Sequence, residues 1–325
     1  MLGSGVKSAI GFGPLFNPPG YFPMATKSKA PPAPHTLAAS RSCPAPKGKL
    51  LLIGGHESKG DEKSEEEKEE AENRNFTSMA VLQRLVDETG SRGPIVVIPT
   101  ASSEPKSSAQ AYVRAFGRLD APKVEILDVR SREEANNPKI IAVLENAGSV
   151  LFTGGDQLRL TALLGGTALQ KCLKKRYAHD GLLVAGTSAG ATAMSTPMIY
   201  QGRDDAGMLK GEIHITTGLE LLHDVAVDTH FVARGRIVRM AQILATNPAC
   251  VGLGIEEDTA VLVTNGRDLE IVGSGLVMIL DAKDCSSTNI HEIAPNTPFT
   301  LRGLRLHMLS GGEQFTLPIE PRMYA

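Results

Sequence analysis

A serine flanked by small residues is the feature of this sequence most able to do chemistry. The segment Gly186-Thr187-Ser188-Ala189-Gly190 matches the pattern G-x-S-x-G, in which a serine stands on a strained turn between a strand and a helix. The apolar run 182–185 before it is typical of a strand, and 191–194 is typical of a helix start. We therefore predict that Ser188 is a nucleophile. The alternative is an ordinary strand-to-helix turn with a capping serine.

A nucleophilic serine needs a general base, and His230 is the best candidate among the eight histidines. It ends an apolar stretch and precedes a cationic one, 234–239. A core or surface histidine is the alternative. An acid should orient the imidazole, and the acidic stretch 256–258 ends another predicted strand. The chain order serine, histidine, acid disfavours the α/β-hydrolases, which place the acid between the other two.

The oxyanion formed during attack on a carbonyl needs two N–H donors about 3 Å away. The backbone N–H of Ala189, directly after the nucleophile, is the first candidate. We predict that the second comes from Gly155, because the glycines of the turn 154–156 permit a close approach of main chain to substrate.

Short apolar runs alternate with amphipathic stretches before the nucleophile, which predicts an α/β fold with a mostly parallel sheet covered on both faces. The predicted strands are 50–53, 95–99, 124–129, 150–152 and 182–185, and the longest predicted helix covers 158–177. Ligands of such sheets bind beyond the carboxyl ends of the strands, so the loops at Gly54, Pro99, Gly154 and Gly186 should gather at one edge.

After Gly252 the sequence no longer alternates between strand-like and helix-like stretches. Apolar runs at 259–264, 269–272 and 276–280 are joined by turns such as Asn265-Gly266. They predict an additional antiparallel C-terminal segment that extends the sheet or forms a small flap.

Composition excludes several function classes. The 325 residues carry 34 Lys and Arg against 36 Asp and Glu, and the net charge of -2 argues against bulk binding of nucleic acid. No apolar run approaches the roughly 18 residues of a membrane helix. The four cysteines contain no C-x-x-C pair, which argues against a zinc knuckle. We predict no metal and no cofactor.

Residues 1–47 differ from the rest of the chain. They are rich in Pro, Gly, Ser and Ala, and the first acidic residue of the chain is Glu57. This composition predicts a disordered leader, with a transit peptide as the alternative. We expect a single domain over 48–325, an acidic surface insertion near 57–75, and a cytoplasmic location unless the leader directs the protein to an organelle.

Six segments together resemble the cyanophycinases, within the peptidase E group of serine peptidases. Their order and approximate spacing match over about residues 48–320. The segments are 54–57, 98–102, 152–157, 186–191, 228–239 and 254–260.

The resemblance implies a class I glutamine-amidotransferase-like (flavodoxin-like) three-layer fold and a homodimer. Cyanophycinases cleave cyanophycin, a poly-aspartate backbone with arginine on each β-carboxyl, and release β-Asp-Arg dipeptides. The resemblance implies that Ser188 is the nucleophile, His230 the general base and Glu257, rather than Glu256, the orienting acid. The substrate pocket that it implies is lined by Gln157, Asp228, Arg234, Arg236 and Arg239.

The charges of these residues suit such a substrate, because arginines bind a carboxylate by forked hydrogen bonds. Asp228 could pair with an arginine or hold the substrate's guanidinium. Thr229 departs from the family pattern, which has Gln before the histidine, so we expect weaker selection for the polymer. Two alternatives stay open: a peptidase E-like aspartyl dipeptidase, and a non-catalytic binding protein on the same fold.

Overall fold

The protein is described by a computed structural model over residues 45–60, 73–74, 76–202 and 207–321. These residues all fall in one unit of the chain, 43–325. The leader and most of the acidic insertion lie outside the described residues, so their predicted character and the domain boundaries stay predictions. Among the described residues, no helix combines the length and the apolar character that a bilayer span requires.

Among the described residues, strands and helices succeed one another from residue 49 to residue 192, and strands predominate after that. The strands are β1 Lys49–Ile53, β2 Ile95–Ile98, β3 Val124–Ile126, β4 Ser149–Phe152, β5 Leu183–Thr187, β6 Ser195–Gln201, β7 His214–Thr216, β8 Leu222–Thr229, β9 Val251–Ile255, β10 Thr259–Thr264, β11 Asp268–Gly273, β12 Val277–Asp281, β13 Ser287–Thr288, β14 Leu301–Arg302, β15 Arg305–Leu309 and β16 Gln314–Thr316. The helices are α1 Ala80–Thr89, α2 Pro105–Arg118, α3 Pro138–Glu145, α4 Gln157–Leu164, α5 Ala168–His179, α6 Ala189–Thr192 and α7 Ile237–Thr246.

The first sheet has the strand order β16-β11-β10-β1-β5-β4-β2-β3. The five neighbouring strands β1, β5, β4, β2 and β3 are parallel to one another, as predicted from their apolar runs. Side chains alternate across a strand. On β1, Leu50 and Leu52 belong to one core cluster, while Leu51 and Ile53 belong to another. The sheet is therefore buried on both faces.

Helices cover the two faces and complete three layers. Residues of α1 and α2, among them Leu82 and Phe116, share a cluster with Leu51, while residues of α4 and α5 pack on the opposite face. The single helix predicted over 158–177 is wrong. The chain breaks between α4 and α5 because Gly166 adopts a left-handed φ of 74° and the Thr167 side chain caps the second helix.

A second sheet has the order β15-β12-β9-β8-β6-β7, with β6, β8 and β9 parallel to their neighbours in that group. One of its faces joins the core of the first sheet, and α7 packs against the other. Of the predicted C-terminal strands, β10 and β11 extend the first sheet antiparallel, but β12 joins the second sheet. The sequence did not predict this second sheet.

The carboxyl ends of β1 and β5 meet those of β8 and β9. The backbone N–H of Ser188 donates to the Ile53 carbonyl at 2.9 Å, and that of His230 donates to the Gly54 carbonyl at 3.0 Å. The N–H of Asp258 reaches the Gly55 carbonyl at 2.9 Å. The loop after β1 thus connects the ends of both sheets, at the edge where ligands of parallel sheets bind.

Candidate active site

Ser188 stands on the turn between β5 and α6 with φ 51° and ψ −116°. A non-glycine residue held in such a region stores about 1–3 kcal/mol of strain, which is common where a side chain must be presented for reaction. The motif glycines make the turn possible. A Cβ on Gly186 would lie 2.5 Å from Gly190, and one on Gly190 would lie 2.4 Å from the Phe152 carbonyl oxygen.

His230 bridges Ser188 and Glu257. The Ser188 hydroxyl lies 2.9 Å from His230 Nε2, and Glu257 Oε1 lies 2.5 Å from His230 Nδ1. A carboxylate can only accept, so Nδ1 carries the proton and Nε2 accepts from the serine hydroxyl. This is the arrangement in which an imidazole takes a proton from a nucleophile and an acid holds the required tautomer.

The two adjacent glutamates point to different partners. Glu257 faces the imidazole, whereas Glu256 Oε2 accepts hydrogen bonds from the backbone N–H groups of Val232 and Ala233. Glu256 therefore supports the turn that follows His230, and the structure brings Glu257 to the histidine as the resemblance implied.

The surroundings keep His230 neutral. Its side chain is only 5% exposed, and burial lowers its pKa from the ordinary value. The hydrogen bond that His230 donates to Glu257 opposes this shift, while the positive charge of Arg234 adds to it. A histidine with a lowered pKa is present as the free base at neutral pH, which is the form that can accept a proton.

This environment predicts an acid limb in the pH profile. Hydrolysis requires neutral His230, so kcat/KM should stay high below the ordinary histidine pKa of about 6.5 and fall only as pH drops through the lowered value. In Arg234→Gln a charge that lowers this pKa is gone, so the limb should move to higher pH. Arg302→Gln, outside the pocket, should leave it in place. A limb that stays fixed in Arg234→Gln would contradict this account of the pKa.

A cavity of about 170 Å³ opens beside the serine. Ten residues predicted for the site line this cavity, whereas Glu257 lies behind His230 and does not. The ten are Gly155, Gln157, Ser188, Ala189, Asp228, Thr229, His230, Arg234, Arg236 and Arg239. Five further lining residues, which the sequence analysis missed, are Thr192, Ile199, Tyr200, Gln201 and Gly202. Four of them lie on or directly after β6, a strand that the sequence analysis did not assign.

Gly155 and Ala189, the two candidate oxyanion donors, both line the cavity beside Ser188. A Cβ built on Gly154 would stand 3.5 Å from the Ser188 Cβ, so the turn after β4 passes next to the nucleophile. Gly155 has φ 140°, and a Cβ there would lie 2.2 Å from the Ala101 carbonyl oxygen, so only glycine fits. That Gly155 and Ala189 donate to an oxyanion stays a prediction.

Asp228 pairs with arginines, which was one of its two predicted roles. Arg239 Nε and Nη2 bind its two carboxylate oxygens at 2.6 and 2.5 Å, and Arg236 Nη1 reaches Oδ1 at 3.1 Å. The Asp228 side chain is 1% exposed. A buried carboxylate that accepts hydrogen bonds from two arginines fixes their guanidinium groups in place. Because Arg234 adds a third positive charge, the lining around Asp228 is cationic.

Gln157 begins α4 and donates its side-chain amide to the Ile199 carbonyl at 3.0 Å. This bond ties α4 to β6 across the cavity. That Gln157 binds substrate stays a prediction.

Glu57 lies behind the nucleophile turn, which corrects the prediction that the surface insertion begins there. It is 3% exposed, and Ser58 is 7% exposed. Glu57 accepts from the Thr187 hydroxyl at 2.7 Å and from the Tyr112 hydroxyl, and Lys59 Nζ lies 3.1 Å away. Burial alone would raise its pKa, but Lys59 and these hydrogen bonds outweigh burial and lower it. An acid four residues after a buried strand, ahead of the acidic run itself, was the signal that could have identified it.

Removing this carboxylate should destabilise the fold. In Glu57→Ala the buried hydroxyls of Tyr112 and Thr187 lose their acceptor, and the free energy of unfolding should fall by about 3 kcal/mol in urea denaturation. Glu125→Ala removes only the partner of Lys123, whose side chain is 76% exposed, and should lower the free energy by less than about 1 kcal/mol. Equal losses in the two variants would refute the stabilising role of Glu57.

Comparisons with known proteins agree with the geometry of the site. Residues 68–271 match the model of Peptidase family S51. The cyanophycinase of Trichormus variabilis is 36% identical over 278 residues, covering 85% of this chain and 88% of the relative. The cyanophycinase of Geminocystis herdmanii is 33% identical over 267 residues, covering 82% of this chain and 92% of the relative.

The fold has a solved counterpart. The crystal structure of a peptidase from an acI-B1 Actinobacterium superimposes with a TM-score of 0.59 at 22% identity, covering 85% of this chain and 99% of that one. The expected class I glutamine-amidotransferase-like α/β fold is confirmed. On the family match and the identity to two relatives over most of their length, the chain belongs to peptidase family S51, and it is a serine-type peptidase.

Proposed function

We propose that this peptidase is an exopeptidase that hydrolyses cyanophycin to β-Asp-Arg dipeptides. The observation that carries the proposal is the continuous hydrogen-bonded chain from Ser188 through His230 to Glu257, on the wall of a pocket rich in arginine. The two relatives named cyanophycinase support the choice of substrate.

The geometry supports acyl transfer in two steps. Ser188 Oγ attacks the scissile carbonyl while its proton passes to His230 Nε2, and Glu257 stabilises the imidazolium that forms. The oxyanion accepts the N–H groups of Ala189 and Gly155. The intermediate then collapses, His230 returns the proton to the leaving amine, and an acyl-Ser188 ester remains. Water activated by His230 hydrolyses that ester and regenerates the serine.

The charge of the pocket favours recognition of the carboxyl end of the polymer. Two arginines against the single carboxylate of Asp228 leave one positive charge in excess, and exposed Arg234 contributes another. Such a surface attracts the free α-carboxylate of the last backbone residue. The terminal unit would then occupy the pocket and leave as the dipeptide, while the shortened polymer forms the ester with Ser188.

The finer expectations of the resemblance belong to the same proposal. They are a homodimer and a cytoplasmic location, with no nucleic acid and no membrane as partner; the net charge of -2 supports the absence of nucleic-acid binding. Thr229, which lines the pocket and is 3% exposed, still predicts weaker selection for the polymer than a Gln-bearing relative shows.

A substrate panel tests the proposal. The protein should clear a suspension of cyanophycin, and mass spectrometry should find β-Asp-Arg as the main product, while short α-aspartyl dipeptides react slowly. Rapid cleavage of α-aspartyl dipeptides with no clearing would instead favour a peptidase E-like aspartyl dipeptidase. No hydrolysis of either substrate by folded protein would leave only the binding-protein alternative.

A further inference from the structure

Three possible metal ligands converge at the outer end of the hydrogen-bonded chain. His56, His230 and Glu257 each offer a ligand atom, and these atoms all lie within 4.8 Å of one another. His56 Nδ1 is 3.9 Å from Glu257 Oε2. The ring of His56 stands edge-on to that of His230, with centroids 5.1 Å apart and planes at 89°. The proposed peptidase mechanism uses two of these side chains and leaves His56 without a role.

We infer that this cluster binds Zn²⁺ and that the ion inhibits the peptidase. Two imidazoles and a carboxylate are ligands that zinc prefers, and its bonds to nitrogen and oxygen measure about 2.0–2.2 Å. Ligand atoms spaced as here can reach one ion after a small movement of His56. That side chain is 55% exposed and can adjust, and Glu257 is 29% exposed, so the ion enters from solvent on their side. A water molecule completes the fourth position of a tetrahedral site.

Inhibition follows from the chemistry of the imidazole ring. A neutral histidine has one lone pair and one N–H. If zinc takes the lone pair of Nδ1 beside Glu257, the proton must sit on Nε2, which then donates to Ser188 and cannot accept its proton. If zinc takes Nε2, the ion displaces the serine hydroxyl. In both cases the general base is lost, so bound zinc stops turnover rather than assisting it.

The spacing of the ligands along the chain explains why a sequence search for metal motifs does not find them. His56 follows β1, His230 follows β8 and Glu257 follows β9. They meet only because the loop after β1 joins the ends of both sheets. Hard cations such as Mg²⁺ and Ca²⁺ favour sites made of oxygen ligands, so they should not compete.

The test is hydrolysis of cyanophycin at fixed free Zn²⁺, set by a chelator buffer, at a pH where His230 is deprotonated. This arm rests on the proposed function. Micromolar zinc should inhibit the wild-type protein, while Mg²⁺ and Ca²⁺ should not. His56→Asn suits the left-handed backbone at that position, φ 49°, so it should fold and keep its activity without zinc. Losing a ligand should raise the inhibitory zinc concentration at least about tenfold. His291→Asn, which removes an exposed histidine outside the cluster, should behave as wild type.

A binding measurement on catalytically silent protein separates the two proposals. Titration of Ser188→Ala with Zn²⁺ in a calorimeter should show a site that weakens at least about tenfold when His56→Asn is added, whatever the substrate is. Equal zinc inhibition of the wild type and His56→Asn, or no effect of His56→Asn on binding, would overturn the inference. Binding that depends on His56 would support it even if cyanophycin were not the substrate.

Discussion

Ser188→Ala is expected to lose about 10⁴- to 10⁶-fold in kcat on cyanophycin, because without the Ser188 hydroxyl the ester intermediate cannot form. The serine is half-buried at the pocket wall, so removal of its oxygen creates little cavity. The melting temperature and circular dichroism of the variant should therefore match those of the wild type. The rate is best measured as release of β-Asp-Arg by mass spectrometry, which detects slow turnover.

A second serine variant serves as the control. Ser286→Ala changes an exposed serine directly before β13 and should keep full activity. If folded Ser188→Ala hydrolysed cyanophycin at near-normal rate, Ser188 would not be the nucleophile.

Glu257→Gln should cost about 10⁴-fold in kcat, because the amide keeps the size of the side chain but loses the charge that stabilises the imidazolium and the tautomer that presents Nε2 as acceptor. Glu256→Gln is the matched control. Its amide oxygen can still accept hydrogen bonds from the backbone N–H groups of Val232 and Ala233, so kcat should fall only a few-fold. Parallel kinetics of the two variants, with their melting temperatures, measure the contrast. A greater loss in Glu256→Gln would reverse the assignment.

The elements that local pattern dictates were predictable from the sequence. The apolar runs of β1, β2, β4 and β5 can only be buried on both faces, and this identified the parallel sheet and the edge where its loops meet. The motif around Ser188 predicted the turn, the strand before it and the helix after it. His230 and the acidic stretch after β9 were candidates because each follows a strand, and the structure brings His230 and Glu257 to the serine.

Features that depend on pairing distant segments were not predictable. The strands β6, β8, β9 and β12 belong to the second sheet, yet their apolar runs do not say which partner each will take. From the sequence, Glu57 looked like the start of a surface insertion, since an acidic run follows it. Its burial could not be predicted, because Tyr112 and Thr187, which donate hydrogen bonds to it, come close only in the folded chain. The same holds for Asp228, whose alternatives were decided by the position of Arg236 and Arg239 around it.

We infer that Ser188 carries the acyl group during hydrolysis of the β-Asp-Arg polymer. The most direct measurement uses a defined substrate of two β-Asp-Arg units, quenches the reaction with acid during turnover, and maps the protein by peptide mass spectrometry. We expect one acylated site, on Ser188, carrying a single β-Asp-Arg unit, with the second unit released as the dipeptide. Release of dipeptide with the acyl group on another residue, or with Ser188 unmodified throughout turnover, would contradict it.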